Sequence, residues 1–131
     1  MRISEFAQLT GISKDTIRYY EKIGLLHPAL HNNQRDYTNQ DISNVDTIIK
    51  LKGTGFSLKE IKILFDWSKD ADHERELTVE EIQNLLKIKD LFQVKYEQIL
   101  QQEEKIKEVK QVLKSADHKI EFLLQKNNGG D

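Results

Sequence analysis

Near the start of the chain, Ile3, Phe6, Ala7 and Leu9 are spaced three to four residues apart, the rhythm that lines one face of a helix. Ser4 is read as the cap of its first turn. Thr10-Gly11 then interrupts the pattern, because glycine readily takes the positive φ of a helix stop, and Ser13 offers a second cap. A second helix is expected from Lys14 to about Ile23. Two short helices joined by a tight turn containing glycine form a helix-turn-helix layout.

The segment from His27 to Gln34 holds the single proline and the Asn32-Asn33 pair, so it is read as a loop or small hairpin. Beyond Thr38, taken as a cap, Ile42, Val45, Ile48, Ile49 and Leu51 mark a third helix that ends at Gly53-Thr54-Gly55. Ser57 and Glu60 have the spacing of a capping box and open a fourth helix through Ile61, Leu64, Phe65 and Trp67. Trp67 is read as a core anchor, with the lining of an effector pocket near the junction with the long helix as the alternative. Polar residues from 70 onward read as a linker to about residue 78.

The longest pattern follows. Leu85, Ile88, Phe92, Ile99, Ile106, Val109, Leu113 and Ile120 belong to a strict three-four alternation that continues through Ala116 to Leu123, the signature of a coiled-coil seam. An unbroken helix over that stretch is roughly 57 Å long, too long to bury its stripe against a small head, so it requires a partner helix. Lys95 and Gln102 interrupt the seam, a device that specifies register at some cost in stability. Leu86, Leu91, Val94 and Leu100 form a second stripe suited to contact with a head. Whether the helix breaks near Ser115 to His118 stays open, and fraying is expected from Asn127 onward. The expected division is thus a head over residues 1–69, a linker over 70–78, a dimerisation helix over 79–125 and a disordered tail over 126–131.

Composition narrows the chemistry. The chain has no cysteine, which removes disulfides, thiolate metal sites and cysteine nucleophiles. It has no run of eighteen apolar residues and no signal-like start, so a cytoplasmic protein without membrane contact is expected. The net charge of −2 hides an asymmetry: residues 1–69 carry ten Lys and Arg against eight Asp and Glu, and residues 70–131 carry ten against fourteen. A head that meets an anion and a tail that does not fit this division. No nucleophile beside a base, no phosphate-cradling glycine loop and no paired carboxylates in an apolar setting occur. Neither catalysis nor a cofactor is expected. Asp70, Asp72, His73 and Glu74 have hard-metal character, yet they read as an acidic linker and not as a metal site.

Taken together, Ile3-Ser4-Glu5-Phe6-Ala7, Thr10-Gly11-Ile12-Ser13 and the run from Thr16 to Leu26 closely resemble the head of MerR-family transcriptional regulators. Arg35-Asp36-Tyr37-Thr38 with Asp41-Ile42 is similar to that family's first wing and third helix. Gly55-Phe56-Ser57-Leu58-Lys59-Glu60-Ile61 is similar to its second wing and fourth helix. The resemblance keeps order and spacing across about the first 67 residues. One departure lies in the first wing, where Asn33 and Gln34 stand in place of the family's frequent glycine and aromatic.

The resemblance implies a mainly α, winged helix-turn-helix head followed by a long dimerisation helix. It further implies an antiparallel homodimer on double-stranded promoter DNA, binding an inverted repeat and bending an over-long spacer so that RNA polymerase can start. Family members that sense metals use cysteines in a C-terminal loop, and those that bind drugs carry an added domain. This chain has neither, so whether a small-molecule effector exists, and which, stays open.

Arg18 and Tyr19 on the second helix are assigned to base edges or phosphates, and Lys14 and Thr16 in its first turn to the groove floor. Arg35 and Tyr37 in the wing are assigned to flanking phosphates, with packing as the alternative for Tyr37. Lys52 and Lys59 flank the second wing and suit phosphate contact, with ordinary solvation as the alternative. Tyr20, Ile17, Phe6 and Leu25 are assigned to the core. The rival functional reading is an architectural or protein-interaction module with the same head and no effector response, against which the long seam argues.

Overall fold

The computed structural model describes residues 1–69 and 76–128, and the chain divides into a unit of residues 1–75 and a unit of residues 76–131. In the first unit the elements run α1 (Ile3–Thr10), α2 (Lys14–Lys22), β1 (Ala29–His31), β2 (Gln34–Asp36), α3 (Asn39–Gly53) and α4 (Leu58–Lys69). In the second a single helix, α5, runs from Val79 to Asn128.

Each boundary in the head has a local cause. α1 ends because Gly11 turns left-handed at φ 77° and its N–H donates to the Ala7 carbonyl. Its start differs from expectation: Arg2 occupies the cap position without a side-chain hydrogen bond, and Ser4 lies inside the helix. α2 opens on Ser13, whose Oγ accepts from the Thr16 N–H at 3.1 Å. At the head of α3, Thr38 and Asp41 form a reciprocal capping box, with Asp41 accepting from the Thr38 N–H at 2.9 Å. Ser57 and Glu60 do the same for α4, where the Ser57 N–H donates to Glu60 Oε1 at 2.8 Å. Gly55, at φ 102°, makes the turn between α3 and α4.

Between α2 and α3 the chain forms a two-residue hairpin, pairing Ala29 with Asp36 and His31 with Gln34. Asn32 and Asn33 both take positive φ, 52° and 62°, the geometry of a type I′ turn, and asparagine tolerates it better than any other non-glycine side chain. Asn33 therefore supplies the second left-handed residue that this turn needs.

The core of the head gathers Phe6 from α1, Ile17 and Tyr20 from α2, Leu25 and Leu26 beyond it, Val45 and Ile48 from α3 and Ile61 from α4. Tyr37, just past β2, is 1% exposed and stacks on Phe6 with ring centroids 4.4 Å apart and planes at 15°. Its expected assignment to the DNA-facing wing is thereby revised, because the ring is enclosed on the inner side of the hairpin. Trp67 departs from expectation in the other direction: it is 40% exposed and is no core anchor within the head.

α5 is continuous through Ser115 and His118, which answers the question the sequence left open there. Ala116 and Lys119 are good helix formers, and a single serine costs a helix only tenths of a kcal/mol. Fifty residues extend about 75 Å. The helix starts at a capping box missed in the sequence, where the Glu81 N–H donates to Thr78 Oγ1 at 3.1 Å and the Thr78 N–H reaches Glu81. The expected linker residues 70–75, the acidic cluster among them and the last three residues lie outside the described residues. No helix among the described residues is long and apolar enough to cross a membrane.

Truncating Phe6 to alanine removes a fully buried ring and the stack that seats the hairpin, so Phe6→Ala is expected to cost about 3–5 kcal/mol. Urea unfolding followed by circular dichroism checks this, and a loss below 1 kcal/mol would contradict the packing described.

Candidate nucleic-acid interface

α2 and the hairpin face each other across an open groove of about 870 Å³, lined by Arg2, Arg18, Glu21, Lys22 and Arg35 among others. Four cations and one carboxylate therefore border it. Arg18 and Lys22 lie four residues apart and share a face of α2. Arg35 stands on β2 opposite them, and the Arg2 guanidinium donates to the Arg35 carbonyl at 3.2 Å.

Glu21 organises the groove. One carboxylate oxygen accepts from Arg35 Nε at 2.8 Å and the other from the Tyr37 hydroxyl at 2.7 Å. The Glu21 side chain is only 12% exposed, whereas that of Arg35 is 57% exposed. The pair thus holds Arg35 through its Nε while more than half of the side chain stays exposed. Charge-assisted bonds of this kind are the stronger class. Burial, followed by the bond to Glu21, holds the Tyr37 hydroxyl well above the ordinary phenol range. At the hairpin base the Met1 ammonium donates to Asp36 at 2.6 Å and to the Tyr37 carbonyl at 2.7 Å. That bond holds the Asp36 carboxyl below its usual range.

The other expected contacts are distributed as follows. Arg18 is exposed and touches Asp15 at 3.3 Å, one turn back, a surface pair that gives way easily to another anion. Lys14 and Tyr19 are exposed on α2. Thr16 is half-buried, its hydroxyl 2.9 Å from that of Ser13. Lys52 and Lys59 are exposed on either side of the α3–α4 turn. The structure thus brings Arg18 and Arg35 to one groove, whereas Lys52, in the last turn of α3, and Lys59, in the first turn of α4, do not line it.

Three groove residues were missed in the sequence. Lys22 was findable from its four-residue spacing to Arg18. Arg2 and Glu21 were not, since both join the site through contacts to residues 35 and 37 that no local pattern announces.

Residues 1–67 match the model of the MerR helix-turn-helix regulatory protein family. The chain belongs to the MerR family. It is a DNA-binding transcriptional regulator of that family and not an enzyme. The regulator named HmrR of Rhizobium leguminosarum bv. viciae is 29% identical over 121 residues, covering 92% of this chain and 84% of that protein. Heavy metal-dependent transcription regulator 2 of Rhizobium meliloti (strain 1021) is 33% identical over 91 residues, covering 65% of this chain and 62% of its own length. A MerR-family chain solved under the name HiNmlR, described as lacking the sensor domain and bound to promoter DNA, superposes with a TM-score of 0.61 at 26% identity. That likeness covers 99% of this chain and 94% of the other. The MerR-type head and the long helix therefore occur together in both.

The Tyr37 hydroxyl gives the interface an alkaline limit. Because its proton is held more tightly in the folded state, folding free energy is fully present below the ordinary phenol pKa of about 10 and falls as pH rises above it. Denaturant unfolding measured from pH 7 to 11 is expected to show this decline, and Tyr37→Phe to flatten it while costing about 1–2 kcal/mol at pH 7. Parallel alkaline limbs in the two proteins would show that Tyr37 is not the group responsible.

Proposed function

We propose that two copies of this MerR-family chain pair through antiparallel α5 helices and bind an inverted repeat in promoter DNA, distorting the spacer between its halves. The observation that carries this is the basic groove in which Glu21 holds Arg35 of the wing opposite Arg18 of α2. Such a groove suits a duplex edge, with α2 in the major groove and the wing across the adjoining phosphates. Lys14, Thr16, Arg18 and Tyr19 approach the bases. Arg35, and beyond it Lys52 and Lys59, take phosphates.

Contacts on both flanks of a site supply the force that bends it. A bent and untwisted spacer is how such a dimer presents a promoter to RNA polymerase. One relative is named heavy metal-dependent, but these 131 residues hold no cysteine, so a thiolate-bound metal is not the signal here.

Titration of the purified protein against its own upstream intergenic DNA, with the solution mass measured alongside, tests the reading. A dimer is expected whose affinity falls roughly 10³–10⁵-fold between about 50 and 200 mM salt. Arg18→Ala is expected to weaken binding by about 1–3 kcal/mol per head while leaving the dimer intact. Salt-insensitive binding, or an Arg18→Ala protein that binds as tightly as the parent, would overturn it.

A further inference from the structure

We infer the register in which two α5 helices pair: Phe92 of one copy packs on Ala116 of the other, with Glu104 at the level of the twofold axis. The inference rests on the antiparallel dimer proposed above and goes further by saying which layers meet. Several C-terminal seam residues stand well exposed in the single chain, Ile106 at 60%, Leu113 at 65% and Ile120 at 56%. A seam that must cover itself in antiparallel fashion can do so only at registers one heptad apart, because each seam position must face a seam position.

Three such registers are available and their layers differ. With Phe92 on Ala116, Ile88 meets Ile120 and Leu85 meets Leu123, and every seam position from Leu85 to Leu123 has a counterpart. The largest seam side chain then faces the smallest, which keeps that layer near the common volume that close packing demands. A shift of one heptad toward the N-terminus sets Ile120 opposite Glu81 and Leu123 opposite Thr78, the two residues engaged in capping the helix start. The opposite shift sets Ile88 against Asn127 and carries the counterpart of Leu85 beyond Asn128, where the described helix ends. It also forces Phe92 onto Leu123, a pair of large side chains.

The edges of the seam agree with the complete register. In an antiparallel pair each edge of the seam meets the same edge of the other helix. That places Ile82 beside Leu124 of the second copy, two off-seam apolar side chains that are 45% and 56% exposed in the single chain. It also places Lys89 beside Asp117. At the twofold Glu103 meets its own copy, a repulsion that water and salt screen at an exposed edge.

Disulfide trapping reads the register directly, since the chain has no cysteine of its own. Residues 92 and 116 lie about 36 Å apart along one helix, so a bond between them forms only between copies. Phe92→Cys with Ala116→Cys is expected to oxidise to a covalent dimer. Leu85→Cys or Ile99→Cys, each combined with Ala116→Cys, reports the two shifted registers and is expected to stay reduced at the same solution mass. A bond in a shifted pair, or in Phe92→Cys alone, overturns the register while the dimer stands. A monomeric parent protein overturns the dimer itself.

An exchange gives an independent reading. Phe92→Ala and Ala116→Phe are each expected to weaken dimerisation by on the order of tenfold, and their combination to restore it to within about threefold, as coupled neighbours do. Additive losses would overturn the contact.

Discussion

The carboxylate of Glu21 is the constraint on which the interface depends. It sits on α2, yet its two oxygens bind Arg35 and Tyr37, on and just beyond the second strand of the hairpin. A three-residue strand paired with another three-residue strand is marginal by itself in water. Its position relative to α2 is set by this shared carboxylate and by the Phe6–Tyr37 stack beneath it. Tyr37 contributes through both ends: its ring belongs to the core and its hydroxyl belongs to the polar bridge. The wing is consequently carried by the core and does not depend on DNA to find its place. Such preorganisation lowers the ordering cost that a binding surface otherwise meets.

How much of this could be read in the amino-acid order follows from the range of the interactions. Turn and cap chemistry is local, so Ser13, Thr38 and Ser57 announced three of the helix starts and Gly11 one of the stops. The seam was legible because its period repeats over many turns. Tyr37 was harder, since an aromatic next to a charged wing reads equally well as a surface contact, and only the approach of α1 from thirty residues away settles it. Ser4 misled because a serine near a helix start satisfies the cap rule even when the cap position falls two residues earlier, at Arg2. Trp67 misled for the converse reason: a large apolar residue at helical spacing is read as core, while the end of α4 leaves it 40% exposed. Whether the helix breaks at Ser115 was open in the sequence, and it runs on because the residues around it are helix formers and nothing there supplies a cap.

Glu21 also explains how a chain of net charge −2 presents a positive groove. Its carboxylate is already bound to Arg35 and Tyr37, and it is largely shielded. Arg2, Arg18 and Lys22 therefore face the groove with little opposing charge inside it. The excess of acid lies in residues 70–131, where ten basic residues meet fourteen acidic ones. What a phosphate chain senses at close range is the local field, since charges more than about 8 Å away are largely screened at physiological salt.

The same division of labour holds for the long helix. A fifty-residue helix with apolar side chains along its length gains little from isolation in water, because most helical stability in proteins comes from packing an apolar face. Its apolar positions outnumber those a narrow two-position seam requires: Ile82 and Leu124 fall at edge positions near the two ends, and Leu86, Val94 and Leu100 lie off the seam between them. Lys95 and Gln102 lie in the middle, so the polar interruptions are flanked by apolar layers on both sides. For the pairing proposed above, apolar layers at both ends matter most, because the ends decide whether the seam is fully covered, while the two polar positions lower its stability wherever it pairs.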